Sequence, residues 1–239
     1  MKRTIVVLAA AFLLLAGCSV KQEIALAGDG SGGAVLNVEL APMLVNYLQD
    51  LSGSVTQDGS FSIFDTKTLS QTLEKEPGVT VRTAESKNSG TLHLELTFTD
   101  ISRVLAAQGE SVDSFLRFSR SGERKTLVIT VSQQVVKQLF SLTPLSGSMV
   151  EQTLLPPPES KMGKKEYIDY LSWAMEEYAP DGDAASIIGN AVIHVGVTVK
   201  GSILSQSGGV QDGNRVDFQL PVVDLLTARS PITYQITFR

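Results

Sequence analysis

The chain has 239 residues, 43% of them hydrophobic and 19% charged, with 20 basic side chains against 25 acidic ones. This net charge of −5, with Lys and Arg scattered along the chain, argues against nucleic acid as the main partner, because phosphate binding requires a basic patch. A single cysteine excludes an intrachain disulfide framework and a cysteine-rich metal site, and two histidines leave few options for zinc or acid–base chemistry.

The first 17 residues have the pattern of a signal peptide. Lys2 and Arg3 precede an unbroken apolar run of 11 residues, from Ile5 to Leu15. A helix that crosses a hydrocarbon core of about 30 Å takes about 20 residues, so this run is too short to span and has the length of a signal-peptide hydrophobic region. No apolar stretch long enough to span a membrane follows this run, and we therefore expect a water-soluble body after residue 17.

The apolar run ends in Leu15-Ala16-Gly17-Cys18, and here the chain resembles bacterial lipoproteins, whose signal carries a Leu-Ala-Gly-Cys lipobox. The resemblance implies cleavage after Gly17, diacylglycerol on the Cys18 sulfur and acylation of the new amino terminus, which leaves residues 18–239 as the mature chain. Acyl chains such as palmitate would hold it at a membrane, since each buried CH₂ contributes about 0.8 kcal/mol. In lipoproteins sorted by the next position an aspartate signals inner-membrane retention, so Ser19 favours the outer membrane.

Several segments of the mature chain alternate apolar and polar residues with a period of two, which is typical of strands with one buried face. They are Ala34–Leu40, Thr91–Thr99, Thr126–Val131, Ile193–Val199, Arg215–Leu220 and Ile232–Arg239, and Val20–Ala27 is a further strand prediction. One apolar and one polar face on each strand indicate a largely antiparallel sheet with one side in water.

Short helices are predicted after many of these strands. Pro42 suits the first position of a helix, and Asp65 and Asp100 suit N-cap positions. The predicted short helices are Met43–Leu51, Thr66–Glu74, Ile101–Ala107, Gln133–Leu142 and Val223–Ala228.

The strongest helix prediction is Lys164–Tyr178, which ends before Pro180 and Gly182. Its apolar stripe consists of Tyr167, Leu171, Ala174 and Tyr178, widened by Ile168 and Met175. The preceding segment, Thr143–Ser160, contains the run Pro156–Pro158 and is predicted to form neither helix nor central strand. We predict an α+β fold whose largely antiparallel sheet has one face covered by helices, including the long helix near 164–178, and we leave open a smaller subdomain within 41–180.

The segment Gly28–Gly33 satisfies the pattern G-x-G-x-x-G. A dinucleotide site needs this loop to lead into a helix, whose amide groups hold the pyrophosphate. Here it leads into an alternating strand and follows another, so we interpret it as a glycine-rich hairpin turn.

Other chemical motifs are sparse. His93 and Glu95 project from one face of a strand and could form a metal site with His194, but a zinc deaminase would also need paired cysteines, and solvent-facing side chains explain them better. Asp181 and Asp183 hint at a calcium loop, but the other EF-hand ligands are missing, which favours a solvated turn. We predict no catalytic residue, metal ligand or cofactor.

Four of the six Tyr and Trp residues lie in the long helix: Tyr167, Tyr170, Trp173 and Tyr178. Such a helix could cover the core, line a ligand cavity beneath it, or lie on a membrane surface. Asp169, Glu176 and Glu177 on the polar face disfavour binding to anionic lipid.

A second resemblance lies in Asp29-Gly30-Ser31-Gly32 and in three later segments, Val199–Ile203, Gly208-Gly209 and Val216–Leu220. These residues are similar to the first turn and the closing hairpin of LppM-type envelope lipoproteins. The resemblance implies an α/β fold with a hydrophobic cavity and affinity for envelope lipids. Some members carry a C-terminal membrane helix, whereas this chain stops at Arg239 in a strand.

Three hypotheses for function follow. The first is a non-enzymatic, membrane-tethered domain that binds a lipid or another apolar ligand, in a cavity between the sheet and the Lys164–Tyr178 helix. The second is a module that organises other envelope proteins, through a sheet edge or the Pro156–Pro158 loop. The third, an envelope hydrolase, would require a polar cleft that joins His93 or His194 to a serine and a carboxylate.

Overall fold

The computed structural model describes residues 19–52, 62–106, 116–140, 149–156, 162–179 and 183–239. The strands are β1 (Ser19–Leu26), β2 (Gly32–Glu39), β3 (Val79–Glu85), β4 (Thr91–Phe98), β5 (Leu116–Ser121), β6 (Arg124–Val131), β7 (Val192–Val199), β8 (Ile203–Ser207), β9 (Val210–Asp212), β10 (Arg215–Pro221) and β11 (Ile232–Phe238). The helices are α1 (Pro42–Ser52), α2 (Thr66–Leu73), α3 (Ile101–Ala106), α4 (Gln133–Phe140), α5 (Met149–Leu154), α6 (Lys164–Met175), α7 (Ala184–Gly189) and α8 (Val222–Thr227), and α6 continues as a 3₁₀ turn, Glu176–Tyr178.

The strands form two sheets. The larger sheet has seven strands in the order β3-β4-β2-β1-β7-β10-β9, and the smaller has four in the order β5-β6-β11-β8. Neighbouring strands are antiparallel except β1 and β7, which run parallel. The fold is therefore α+β and largely antiparallel, as the alternation predicted.

The large sheet has one buried face, formed by alternate residues of its central strands. This face is apolar except for Gln22, which is 4% exposed in the middle of β1. In register, Gln22 lies between Leu36 of β2 and Val195 of β7, both of them buried. Among the described residues its side-chain amide has no hydrogen-bond partner. One buried amide without a partner thus interrupts an otherwise continuous apolar face.

Side-chain contacts connect the large sheet to the small sheet. Phe218 of the large sheet packs edge-to-face on Tyr234 of the small sheet, with ring centroids 5.4 Å apart. At the β1–β2 turn, Arg120 of β5 donates to the Asp29 carbonyl at 2.6 Å and to the Asp100 carboxylate at 2.8 Å. An apolar contact and a charged clamp therefore hold the small sheet against the large one.

The helix starts follow the predicted caps. The Asp65 carboxylate accepts from the Thr68 amide at 2.9 Å, and the Asp100 carboxylate accepts from the Ser102 amide at 2.9 Å. These bonds occupy amide groups that have no partner within the first turn of a helix. The helices α1, α2, α3, α4 and α8 begin within one residue of the predicted positions. Among the described residues, no helix is both long and apolar enough to cross a bilayer.

Of two predictions about the middle of the chain, one is wrong and one is confirmed. Thr143–Ser160 was predicted to lack helix, but its described part contains α5, because the six residues of α5 lie between the prolines rather than across them. The long helix predicted near 164–178 is confirmed: it is α-helical from Lys164 to Met175 and continues as the tighter 3₁₀ turn to Tyr178. This tightening moves Tyr178 out of the buried stripe, which consists of Tyr167, Leu171 and Met175.

Candidate ligand-binding groove

A groove of about 550 Å³ lies between α1, α5 and the C-terminal part of α6, and it is open to solvent. Its lining consists of Tyr47, Thr153, Tyr170, Trp173, Ala174, Glu176 and Glu177. Small-molecule sites typically have volumes of about 300–1,000 Å³ and combine aromatic walls with a few polar groups. In volume this groove falls within that range, although it is open to solvent rather than enclosed.

The inner side of α6 faces the core and is filled by side chains. Tyr167, Leu171 and Met175 are buried, and the Tyr167 hydroxyl donates to the Leu154 carbonyl at the end of α5. Burial raises the pKa of the Tyr167 phenol, so it remains a neutral donor at physiological pH. The prediction that α6 covers the core is confirmed for these three residues, and the groove lies on the other side of the helix.

The outer side of α6 supplies Tyr170 and Trp173. Trp173 is 76% exposed, whereas Tyr170 is half-buried and Tyr47, from α1, is buried. Burial raises the pKa of Tyr170, Tyr47 adds to this shift, and a hydrogen bond with Thr153 opposes it. The groove therefore has a fixed aromatic wall and one aromatic side chain that solvent surrounds on most sides.

Tyr178 ties the 3₁₀ turn to α1 beside the groove. Its hydroxyl donates to Asp50 Oδ2 at 2.5 Å, and its ring packs edge-to-face on Tyr47 with centroids 5.6 Å apart. The hydrogen bond to Asp50 raises the pKa of the Tyr178 phenol. This contact joins α1 to the 3₁₀ turn that continues α6, and both elements contribute residues to the groove lining.

The metal site considered for His93, Glu95 and His194 is not assembled. His93 and His194 lie in the same row of the exposed sheet face, with Asn37 and Lys21 between them. Three strand spacings of about 4.8 Å put the two rings about 14 Å apart, far beyond the roughly 2 Å of a metal–nitrogen bond. His93 Nδ1 instead forms a 2.7 Å hydrogen bond with Asn37 Oδ1, and in the described ranges no three His, Cys, Asp or Glu side chains converge on a common point.

The glycine-rich segment is a hairpin turn, as predicted. It joins the antiparallel strands β1 and β2, and Gly30 adopts a left-handed φ of 82°. The Asp29 carboxylate accepts from the amide and hydroxyl of Ser31, and these two bonds lower its pKa. No helix begins at this turn, so it does not have the geometry that a pyrophosphate requires. Of the two aspartates near residue 182, Asp183 precedes α7, and Asp181 lies outside the described residues.

Sequence reasoning missed an ion cluster on the exposed sheet face. Arg215 donates to Glu23 across Gly196 and also to Asp217, and these bonds raise the pKa of its guanidinium. A Cβ at Gly196 would lie 2.1 Å from Arg215 Nη2, so glycine is what lets the guanidinium cross the strand. A glycine inside an alternating strand was the available signal, but the pairing of β10, β7 and β1 is not local in sequence.

Cys18 and the signal segment 1–17 lie outside the described residues, so cleavage and lipidation stay predictions. The described chain begins at Ser19, the first residue of β1. Ser19 is paired in register with Glu39 of β2 and Val192 of β7. No spacer therefore separates the predicted lipid attachment point from the large sheet.

No family model matches the chain, and no curated protein sequence matches it. Among solved structures, it is similar to the NMR structure of the folded domain of the Mycobacterium tuberculosis LppM protein. The two are 11% identical, with a TM-score of 0.43, over 94% of this chain and 90% of that one. In the sequence, the turn residues Asp29–Gly32 resemble those of LppM-type envelope lipoproteins. Membership of this chain in that family stays a prediction.

Proposed function

We propose that this chain is a non-enzymatic lipoprotein of the bacterial cell envelope that binds an amphipathic ligand, a lipid in the simplest case, in the groove beside α6. The observation that supports binding is the groove itself, in which Tyr47, Tyr170 and Trp173 surround a space of organic-ligand size. The ligand's apolar part would rest on these rings, since aromatic side chains offer large apolar faces with little conformational freedom to lose.

Acyl chains on Cys18 would hold the body directly against the membrane. Adjacent Cα atoms are about 3.8 Å apart, so Ser19 would lie at the level of the lipid headgroups. The end of the large sheet at which β1 begins would then face the bilayer, and we place the protein at the outer membrane on the identity of Ser19.

Native mass spectrometry of the detergent-extracted full chain and of a soluble C18S form tests both parts of the proposal. We expect diacylglycerol and an additional acyl chain on Cys18 in the full chain, together with a non-covalent ligand whose occupancy is lower on the C18S form. Trp173→Ala should lower ligand occupancy. Leu204→Ala, which removes a side chain that is 42% exposed outside the groove lining, should leave it unchanged.

Two results would contradict the proposal. An unmodified full-length mass, with the protein free in the cytosol, would remove the anchor. Equal ligand occupancy in wild type and Trp173→Ala, or no ligand in either after mild extraction, would remove the groove as the binding site.

A scaffolding role is the second candidate, and β9 is the observation that favours it. This edge strand of the large sheet is exposed, and its Val210 is 75% exposed. An edge strand has unpaired backbone groups to which a strand of another protein can add. Co-purification of a stoichiometric protein with wild type but not with Val210→Lys, in the absence of ligand, would select this function instead.

A further inference from the structure

Two carboxylates stand at one end of the groove. Glu176 and Glu177 line this end, and within the described part of the chain neither forms an ion pair, although Glu177 acts on the neighbouring Tyr178 hydroxyl and helps to raise its pKa. The two lysines of α6 lie at the opposite end of the helix and are paired with Asp169 and Asp224. The mature chain also carries a net charge of −7, which follows from removing Lys2 and Arg3. The groove is therefore set to attract a cation.

The aromatic walls add a second preference of the same sign. The faces of Trp and Tyr rings carry negative partial charge, and a cation within about 6 Å of a ring centroid gains about 0.5–2 kcal/mol. Trp173 is the best ring type for this contact and has most of its surface free. Tyr47 and Tyr170 line the same space, so one occupant can contact more than one ring.

We propose that the groove selects a ligand whose polar group is an alkylated ammonium, such as a trimethylammonium headgroup. This rests on the proposed function, because it names the polar part of the same amphipathic ligand. A trimethylammonium has no N–H donors and is weakly hydrated, so aromatic walls can replace its water at lower cost than they could for the ammonium of lysine. Glu176 and Glu177 supply the countercharge without needing a hydrogen bond.

Choline and 3,3-dimethylbutan-1-ol form a matched pair of probes, because they have nearly the same shape and differ in charge. The soluble C18S protein is titrated with each at low ionic strength. Trp173 is the only tryptophan in the chain, so its fluorescence reports on the groove without background. We expect choline to bind at least about threefold more tightly than the neutral isostere, and the difference to shrink as salt is added.

Two double variants separate the local charge from the net charge. Glu176→Gln with Glu177→Gln should weaken choline binding by about threefold and leave binding of the neutral isostere unchanged. Glu74→Gln with Glu76→Gln makes the same change in net charge after α2, outside the groove lining, and should leave both affinities unchanged. Trp173→Leu, followed by calorimetry, should weaken choline binding and preserve the circular dichroism spectrum.

Equal affinity for choline and its isostere would overturn the inference, as would equal losses in the two double variants. Binding of neutral sugars without binding of choline would overturn it as well. If an apolar ligand co-purifies and choline does not bind, the inference fails while the proposed function stands. Binding to phosphatidylcholine vesicles, but not to phosphatidylglycerol vesicles, would assign the cation to a lipid headgroup; binding of free choline alone would assign it to a soluble ligand.

Discussion

Gly30, at the β1–β2 turn, is a position where adding a single methyl group should lower the stability of the fold for two separate physical reasons. Its φ of 82° lies in the left-handed region, where an L-residue costs roughly 1–2 kcal/mol. A Cβ there would lie 2.2 Å from Arg120 Nη2 and 2.7 Å from Asp100 Oδ1, so the guanidinium must leave its clamp. The Arg120 and Asp100 side chains are 38% and 21% exposed, and such a partly exposed pair contributes up to about 1 kcal/mol. We expect Gly30→Ala to lower the free energy of unfolding by about 2 kcal/mol.

Gly28→Ala and Arg120→Leu are the controls for this prediction. A Cβ at Gly28 would meet only the flexible end of Lys125, at 3.2 Å, so Gly28→Ala should stay within about 1 kcal/mol of wild type. Arg120→Leu removes the hydrogen bonds of the clamp without changing the backbone conformation at Gly30. It should lower the free energy of unfolding by about half as much as Gly30→Ala. Urea unfolding of the C18S protein, followed by far-ultraviolet circular dichroism, measures all three. A Gly30→Ala protein as stable as Gly28→Ala would refute both the backbone and the clamp reasoning.

Two further predictions concern the cap of α2 and the buried face of the large sheet. Asp65→Ala should lower the free energy of unfolding by about 1 kcal/mol at pH 7. Hydrogen bonds from Thr68 lower the pKa of Asp65 below 3.8, so this difference in stability is fully present above pH 3.8 and is lost as the pH falls through the folded-state pKa. Urea unfolding of both proteins between pH 2 and pH 7 measures the difference. Gln22→Leu should raise the free energy of unfolding by about 1 kcal/mol, since a buried amide without a partner is replaced by an apolar side chain of similar size. A Gln22→Leu protein less stable than wild type, measured in the same way, would mean that the amide is paired in solution.

The alternation of residues predicted the strands that have a buried face and failed for those that do not. β1, β4 and β7 bury every second side chain, and their predicted limits agree with the structure to about one residue. β3 has no fully buried side chain, contains a register shift and lies at the edge of the large sheet, so the alternation in its sequence is confined to Val79–Thr83 and was not recognised. β9 is exposed throughout. The signal that identifies a strand is the burial of one face, and edge strands often lack it.

The candidate groove was only partly predictable for a related reason. Helical periodicity identified the core-facing stripe of α6, with Tyr170, Trp173 and Glu176 outside the residues that prove buried, but it could not say which elements would border the other side of the helix. That depends on Tyr47 and Thr153, which come from α1 and α5. The switch from α-helix to 3₁₀ turn after Met175 also has no evident sequence signal, and it brings Tyr178 to Asp50.

An open groove and a membrane anchor are physically compatible, because the anchor would supply the high local ligand concentration that an open site needs. An open groove buries little of its ligand and holds it through a few ring contacts and two carboxylates, which gives weak affinity per encounter. A soluble carrier would need an enclosed cavity to retain a lipid. A body fixed to a bilayer with no spacer at Ser19 meets headgroups at high local concentration, and tethering of this kind makes weak sites occupied without any new contact. The soluble C18S form should therefore show much lower groove occupancy than the anchored full chain, whereas its intrinsic affinity for choline should be the same.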